Sequence, residues 1–92
     1  MSIRVEFYGI ARARAGLVSA EVEVGECEMS LAQVLQFANG YSMAARGNAL
    51  IENGRLLSGL TANLDGQRFI SDPATPIRDG QCLLILSADA GG

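Results

Sequence analysis

The residues with the clearest chemical potential are the last two, Gly91 and Gly92. A Gly-Gly end presents its carboxylate with no side chain on it or before it. Such an end threads a narrow channel and is open to a nucleophile from every side, because glycine lets another backbone approach closely. That presentation suits activation of the Gly92 carboxylate as an acyl-adenylate and its later capture by sulfur or amine, with Gly91 providing clearance. The opposing reading is a frayed terminus without function. At average glycine usage, two terminal glycines arise by chance roughly once in 200 chains, and this chain, with 11 glycines in 92 residues, is richer than average. The dipeptide therefore gains its meaning from what precedes it.

The rest of the chain offers little chemistry of its own. All seven basic residues are arginine, and histidine and lysine are absent. That removes the commonest general base, the commonest metal ligand and any Schiff-base amine. Cys27 and Cys82 lie far apart and form no CxxC, so zinc and dithiol redox roles are poorly supported. Buried structural cysteines are the default reading for both, and four cysteines would be needed for a ferredoxin-type cluster. The net charge is −3 and 49% of residues are hydrophobic, which describes a globular chain without the basic patch of a nucleic-acid binder. An acidic domain suits a partner with a basic docking face. Met1-Ser2-Ile3-Arg4 lacks the apolar core of a signal peptide. The longest apolar run, Cys82 to Leu86, is far too short to span a bilayer. A cytoplasmic protein with no membrane partner is expected.

These ends and patches need elements to position them. Ile3, Val5 and Phe7 alternate with Arg4, Glu6 and Tyr8, the period of a half-buried strand. Residues 9–16 read as a loop, followed by a second strand in which Val18, Ala20, Val22 and Val24 alternate with Ser19, Glu21 and Glu23. Ser30 and Gln33 form a capping-box pair with Met29 and Val34 as the hydrophobic staple, opening a helix whose apolar face is Leu31, Val34, Leu35 and Ala38. Asn39-Gly40 reads as its end, and residues 41–50 are ambiguous. Asn53-Gly54 marks a turn. Leu60–Leu64 and Arg68–Ile70 flank a two-residue Asp65-Gly66 hairpin turn. Pro73 and Pro76 fix a loop over 72–76, and Asp79-Gly80 turns the chain into a last strand, Gln81–Leu86. That strand is apolar on both faces, with Leu83 and Ile85 on one and Cys82, Leu84 and Leu86 on the other, as expected of a strand in the middle of a sheet. One helix covers one face only. Either residues 41–58 lie over the second face, or Leu84, Leu86 and Tyr8 stay partly exposed for a partner.

One helix on one face of a mixed four- or five-stranded sheet is an α+β layer architecture. The β-grasp has this element order, with its first and last strands parallel neighbours at the centre. Residues 1–87 form the expected domain and 88–92 the tail.

The stretch Thr75–Gly92 resembles the end of the ThiS/MoaD-type ubiquitin-like sulfur carriers, and most closely that of the small subunit of molybdopterin synthase: an apolar residue, a turn ending Asp79-Gly80, an apolar strand, a short tail and Gly-Gly. Val5 to Arg12 resembles the family's first strand and loop, and Leu64-Asp65-Gly66-Gln67 its inner hairpin, where asparagine is usual before the glycine. The resemblance spans nearly the whole chain and is specific at its end. Two positions depart from it. Ser87 stands where proline is frequent, and Asp89 intrudes among residues that are usually small and apolar.

The resemblance implies a protein without catalytic machinery of its own. An E1-like adenylating enzyme would use ATP to activate Gly92, and a sulfur donor would replace AMP to leave a thiocarboxylate. The large subunit of molybdopterin synthase, or another sulfur-accepting enzyme, would receive the tail. Tyr8, Leu84, Leu86, Ala88, Asp89 and Ala90 are the residues placed against these partners. No bound cofactor, metal or nucleic acid is implied. Ala88 to Gly92 spans at most about 17 Å when extended, and no branched or aromatic side chain impedes its passage. Three other readings stay open: a carrier for thiamine or cysteine synthesis, a protein modifier joined through Gly92, and an interaction module whose Gly-Gly is accidental.

Overall fold

Alternation of apolar and polar residues builds the first strand, β1 (Ser2–Phe7), with Ile3, Val5 and Phe7 wholly buried. The structure is a computed structural model that describes residues 2–23, 28–46, 51–52, 55–56 and 58–88. Beside β1 runs β2 (Ser19–Glu23), antiparallel, with Val22 inward and Glu21 and Glu23 in water. On the other side of β1 lies the last strand, β9 (Cys82–Ser87), parallel, with Arg4 opposite Cys82 and Phe7 opposite Ile85. The hairpin of β6 (Leu60–Leu64) and β7 (Arg68–Ile70) completes the sheet, in the order β2-β1-β9-β6-β7. First and last strands are thus parallel neighbours at the centre, as the β-grasp reading requires.

The helix begins as its capping box dictates. In α2 (Leu31–Arg46) the Ser30 N–H donates to Gln33 Oε1 at 2.9 Å, and the Gln33 N–H donates to Ser30 Oγ at 3.2 Å. The next two N–H groups, of Leu31 and Ala32, donate to the carbonyls of Thr75 and Pro73. The 72–76 loop therefore caps the helix as well as connecting strands. Leu31, Val34, Leu35 and Ala38 are buried as one face against Ile3, Val5, Val22, Ala62, Leu83 and Ile85. Each of the leucine, isoleucine and valine side chains contributes roughly 1.5–3 kcal/mol by leaving water.

Four elements differ from the sequence expectation. Residues 10–15 are a short helix, α1 (Ile10–Ala15), and not a loop. Alanine and arginine are strong helix formers, and Ala11 and Ala15, four apart, bury one face. Helix α2 runs through Asn39-Gly40 to Arg46. An interior glycine costs only about 1 kcal/mol against alanine, and Met43, Ala44, Ala45 and Arg46 favour continuation. Pro76 belongs to a strand, β8 (Pro76–Arg78), which pairs with β3 (Glu28–Ser30) in a separate ribbon that buries Ile77. Proline is tolerated as the first residue of such an edge strand. Val18 precedes β2 and is exposed.

The Asp65-Gly66 turn is tight, with positive φ at both residues, and Gln67 N–H donates to the Leu64 carbonyl across it. The ladder then resumes with Leu64 opposite Arg68, so Gln67 is one extra residue and the loop is three long, not two. Asp65 also accepts from the Cys82 N–H at 2.9 Å and from the Gln81 amide at 3.2 Å, tying the turn to the start of β9. Asn53-Gly54 lies outside the described residues. The strands that flank it, β4 (Ile51–Glu52) and β5 (Arg55–Leu56), pair antiparallel, and Ile51 and Leu56 pack on the core. Val24, Cys27 and residues 47–50 also fall outside.

The Ser30→Ala variant removes the acceptor for the Gln33 N–H. It is expected to cost about 1 kcal/mol, read as a lower denaturant midpoint with an unchanged transition slope.

Candidate functional site

Helix α2 covers one face of the sheet, and strand parity assigns the side chains of the other. On β1 these are Arg4 and Glu6, with Tyr8 just beyond it. On β9 they are Cys82, Leu84 and Leu86, whereas Leu83 and Ile85 face the helix and are wholly buried. On β6, Ala62 and Leu64 face the core, so Asn63 points the opposite way. It lies between Leu84 on one neighbour and Phe69 on the other. The described parts of 41–58 pack at the helix side, so they leave this face open. Tyr8 is 40% exposed and Phe69 54%, while Leu84 and Leu86 are half-buried. The sheet thus brings together the Tyr8, Leu84 and Leu86 singled out in the sequence.

Phe69 and Asn63 were missed as members of this surface. Their signal was available: the hairpin turn at 65–66 and the inward Ile70 put Phe69 on the outer face by parity. Asn63 is only 9% exposed, and its Oδ1 has no hydrogen-bond partner among the described residues. An unmet buried amide oxygen costs about 1–3 kcal/mol, so the middle of this face carries a polar atom that weakens the isolated domain.

The β1–β2 half of the face is charged. Glu6 accepts from the Tyr8 hydroxyl at 2.6 Å and from Arg4 Nε at 2.8 Å, and Arg4 reaches Glu21 at 3.5 Å. These hydrogen bonds, that of Tyr8 first, hold Glu6 below the usual carboxylate range. The same bond holds the Tyr8 hydroxyl above its ordinary value. The Arg12 guanidinium stands 5.4 Å over the Tyr8 ring, fixed by donating from Nε to the Phe7 carbonyl. Cys82 sits in the central strand, and its thiol is pushed up by burial and then by Glu6. It stays protonated and is a poor nucleophile. A cavity of about 200 Å³ on the helix side is lined mainly by Leu31, Leu35, Leu56, Leu60 and Ile70, with no acid or base among its lining residues. Among the described residues no acidic or cysteine cluster could hold a metal ion, and no helix is long and apolar enough to cross a membrane.

The chain leaves the sheet at Ser87 and Ala88. The Ala88 N–H donates to the Gly59 carbonyl at 2.8 Å, and Ala88 is exposed. Asp89, Ala90, Gly91 and Gly92, the other sequence-predicted site residues, lie outside the described residues.

Two measurements test this surface. Tyr8→Phe removes the largest cause of the lowered Glu6 pKa. A carboxyl whose pKa falls on folding adds stability above its unfolded pKa and loses it as pH drops through the folded value. The variant should therefore raise the Glu6 pKa in an NMR titration and lose less stability between neutral and acid pH. Asn63→Val removes the unmet amide and installs a strand-favouring residue. It should gain about 1–2 kcal/mol in chemical denaturation, and a lower midpoint would show that Asn63 is satisfied in solution.

No protein-family model and no curated protein matches the chain. Solved structures do. SAMP1 from Haloferax volcanii superposes with a TM-score of 0.76 over 100% of both chains, at 16% identity. A Pyrococcus furiosus protein assigned as subunit 1 of molybdopterin converting factor gives 0.68 at 13% identity, over 94% of this chain and 95% of its own. A chain of the Amycolatopsis orientalis BexX/CysO complex gives 0.63 at 21% identity, over 98% and 99%. At these identities the likeness is one of fold: the chain has the ubiquitin-like β-grasp fold of the ThiS/MoaD-type sulfur carriers.

Proposed function

We propose that this protein is a sulfur carrier in molybdopterin synthesis, acting in the cytoplasm as the sulfur-carrying small subunit of the synthase. One observation carries the reading: a β-grasp domain whose central strand β9 is followed shortly by Gly91-Gly92, with a sheet face beside its end that no described residue covers. An E1-like enzyme uses ATP to join AMP to the Gly92 carboxylate, and pyrophosphate leaves. Sulfide-level sulfur then attacks the acyl carbon; the C–S bond forms as the C–O bond to AMP breaks, AMP leaves, and a thiocarboxylate results with no change of oxidation state. The tail carries that sulfur into the active site of a large synthase subunit, and Gly91 lets it pass.

The open face supports the docking that this requires. Tyr8, Leu84, Leu86 and Phe69 supply apolar area, and Glu6, Glu21 and Glu23 give it an acidic border that suits a basic rim on the partner. The chain has neither histidine nor lysine, and in this reading the catalytic groups belong to the partners. ATP is the activating enzyme's substrate. Carriage of sulfur to thiamine or cysteine synthesis would use the same groups. The likeness to SAMP1 favours a further reading, a modifier joined to target lysines through Gly92. With no lysine of its own, this chain could not extend itself through that residue.

Incubation with ATP, an E1-like enzyme and a sulfur donor should raise the intact mass by the difference between sulfur and oxygen. Deleting Gly92 should abolish that gain and leave the melting temperature unchanged, since terminal residues outside the sheet add little to folding. A truncated protein that still supports product formation would refute the carrier role. Gly92 joined to lysines of other proteins would establish the modifier instead.

A further inference from the structure

The end of β9 is bolted to the start of α1 by a single side chain. Ser87 is 8% exposed, and its Oγ accepts the Ile10 N–H at 3.1 Å. Ile10 is the first residue of α1, whose own N-cap, Gly9, has no side chain to satisfy that donor. Ser87 therefore caps the helix from another element. The fit depends on Gly9, which adopts φ +56°, and a Cβ there would stand 2.9 Å from Ser87 Oγ. On the far side of the same residue, Ser87 pairs with Leu60, and the next N–H, of Ala88, donates to Gly59. Tyr8 N–H donates to the Ile85 carbonyl, so the loop before α1 is stitched to β9 immediately upstream.

We propose that Ser87 is a positioning residue for the Gly-Gly end: its hydroxyl, seated by Gly9, fixes the place and direction in which residues 88–92 leave the sheet. This rests on the carrier reading for its functional consequence, though the anchor stands without it. Four residues beyond Ala88 reach at most about 14 Å. With so short a lever, a loosened pivot spreads the positions of the Gly92 carboxylate and lowers the share that meets a reacting centre. Ser87 touches neither substrate nor reacting atoms, and the docking face lies on the other side of the strand.

The test is Ser87→Ala in the full chain, read in two independent ways. Amide hydrogen exchange should speed up at Ile10 and Ala88 by about fivefold, the factor one hydrogen bond is worth, with Leu83 and Ile85 unchanged. With the activating enzyme, kcat for thiocarboxylate formation should fall by a similar factor of about five while KM, set by the docking face, stays constant. Gly9→Ala, which adds a strained backbone to the clash with Ser87 Oγ, should change both readouts at least as much. Unchanged exchange at Ile10 and Ala88 overturns the anchor. Faster exchange with unchanged kcat overturns the positioning role. A wild-type chain that is no substrate refutes the carrier reading and with it the positioning role, while the exchange measurement still decides the anchor.

Discussion

The parallel pairing of β1 with β9 is the constraint from which the rest follows. It joins the two ends of the chain, and every other element lies between them in sequence. A parallel pair needs a crossover, and crossovers run right-handed over one face of the sheet. Helix α2 occupies that face, so the opposite face has no element of this chain to cover it among the described residues. The turn before β9 secures the register. Gly80 N–H donates to the Ser2 carbonyl and Ser2 N–H donates to Asp79 Oδ1 at 2.7 Å, with Asp65 holding the Cys82 N–H on the other side. Because the two strands run the same way, both finish at the same edge. The C-terminal segment accordingly emerges beside Tyr8 and Gly9 and not at the far end of the molecule.

That geometry gives the two faces different physics. The helix side is saturated: Phe7, Ile3, Leu83 and Ile85 are wholly buried and interlock with α2 and α1. The open side mixes half-buried Leu84 and Leu86 with exposed Phe69 and Tyr8, an ion-paired border, and an amide oxygen that meets no partner among the described residues. A strand apolar on both faces is normal for a strand covered twice. Here no described residue supplies the second cover, and the apolar residues on β9 lie close to the end of the strand. In the carrier reading, a partner seated there would hold the tail near its own reacting groups, and docking and delivery would share one strand.

Much of this was legible in the residues. The alternation in β1, the apolar run of β9 and the Ser30–Gln33 capping box each carry a local physical rule that held, and the Asp65-Gly66 turn was legible in place though its loop has three residues and not two. The β-grasp order followed from them, and parity on β9 sorted Leu83 and Ile85 from Leu84 and Leu86. What failed were features set by context. Two glycines flanking Ile10–Ala15 read as loop punctuation, yet they cap a helix whose first donor is met by Ser87, distant in sequence. Asn39-Gly40 read as a stop, although α2 continues at modest cost. Pro76 read as loop, because its pairing with Ser30 is a long-range contact. Asn63 and Phe69 required the sheet order before their shared face with Leu84 could be seen. The Gly91-Gly92 end, the strongest chemical signal in the sequence, lies outside the described residues, so its role rests on chemistry and on the fold that presents it.

Ser87 shows how the end of a strand can be fixed without a stiff backbone. A proline after the last strand would stiffen the exit through its locked φ. Serine leaves φ free and fixes the same point through a hydroxyl bonded to Ile10. The two solutions make different demands on the neighbourhood. Proline needs only its own ring, whereas serine needs a donor within reach and an absent Cβ at residue 9. Both conditions are met by α1, the element that composition alone concealed. The short helix is therefore tied to the tail: it supplies the N–H that Ser87 captures, and Gly9 at its head supplies the space.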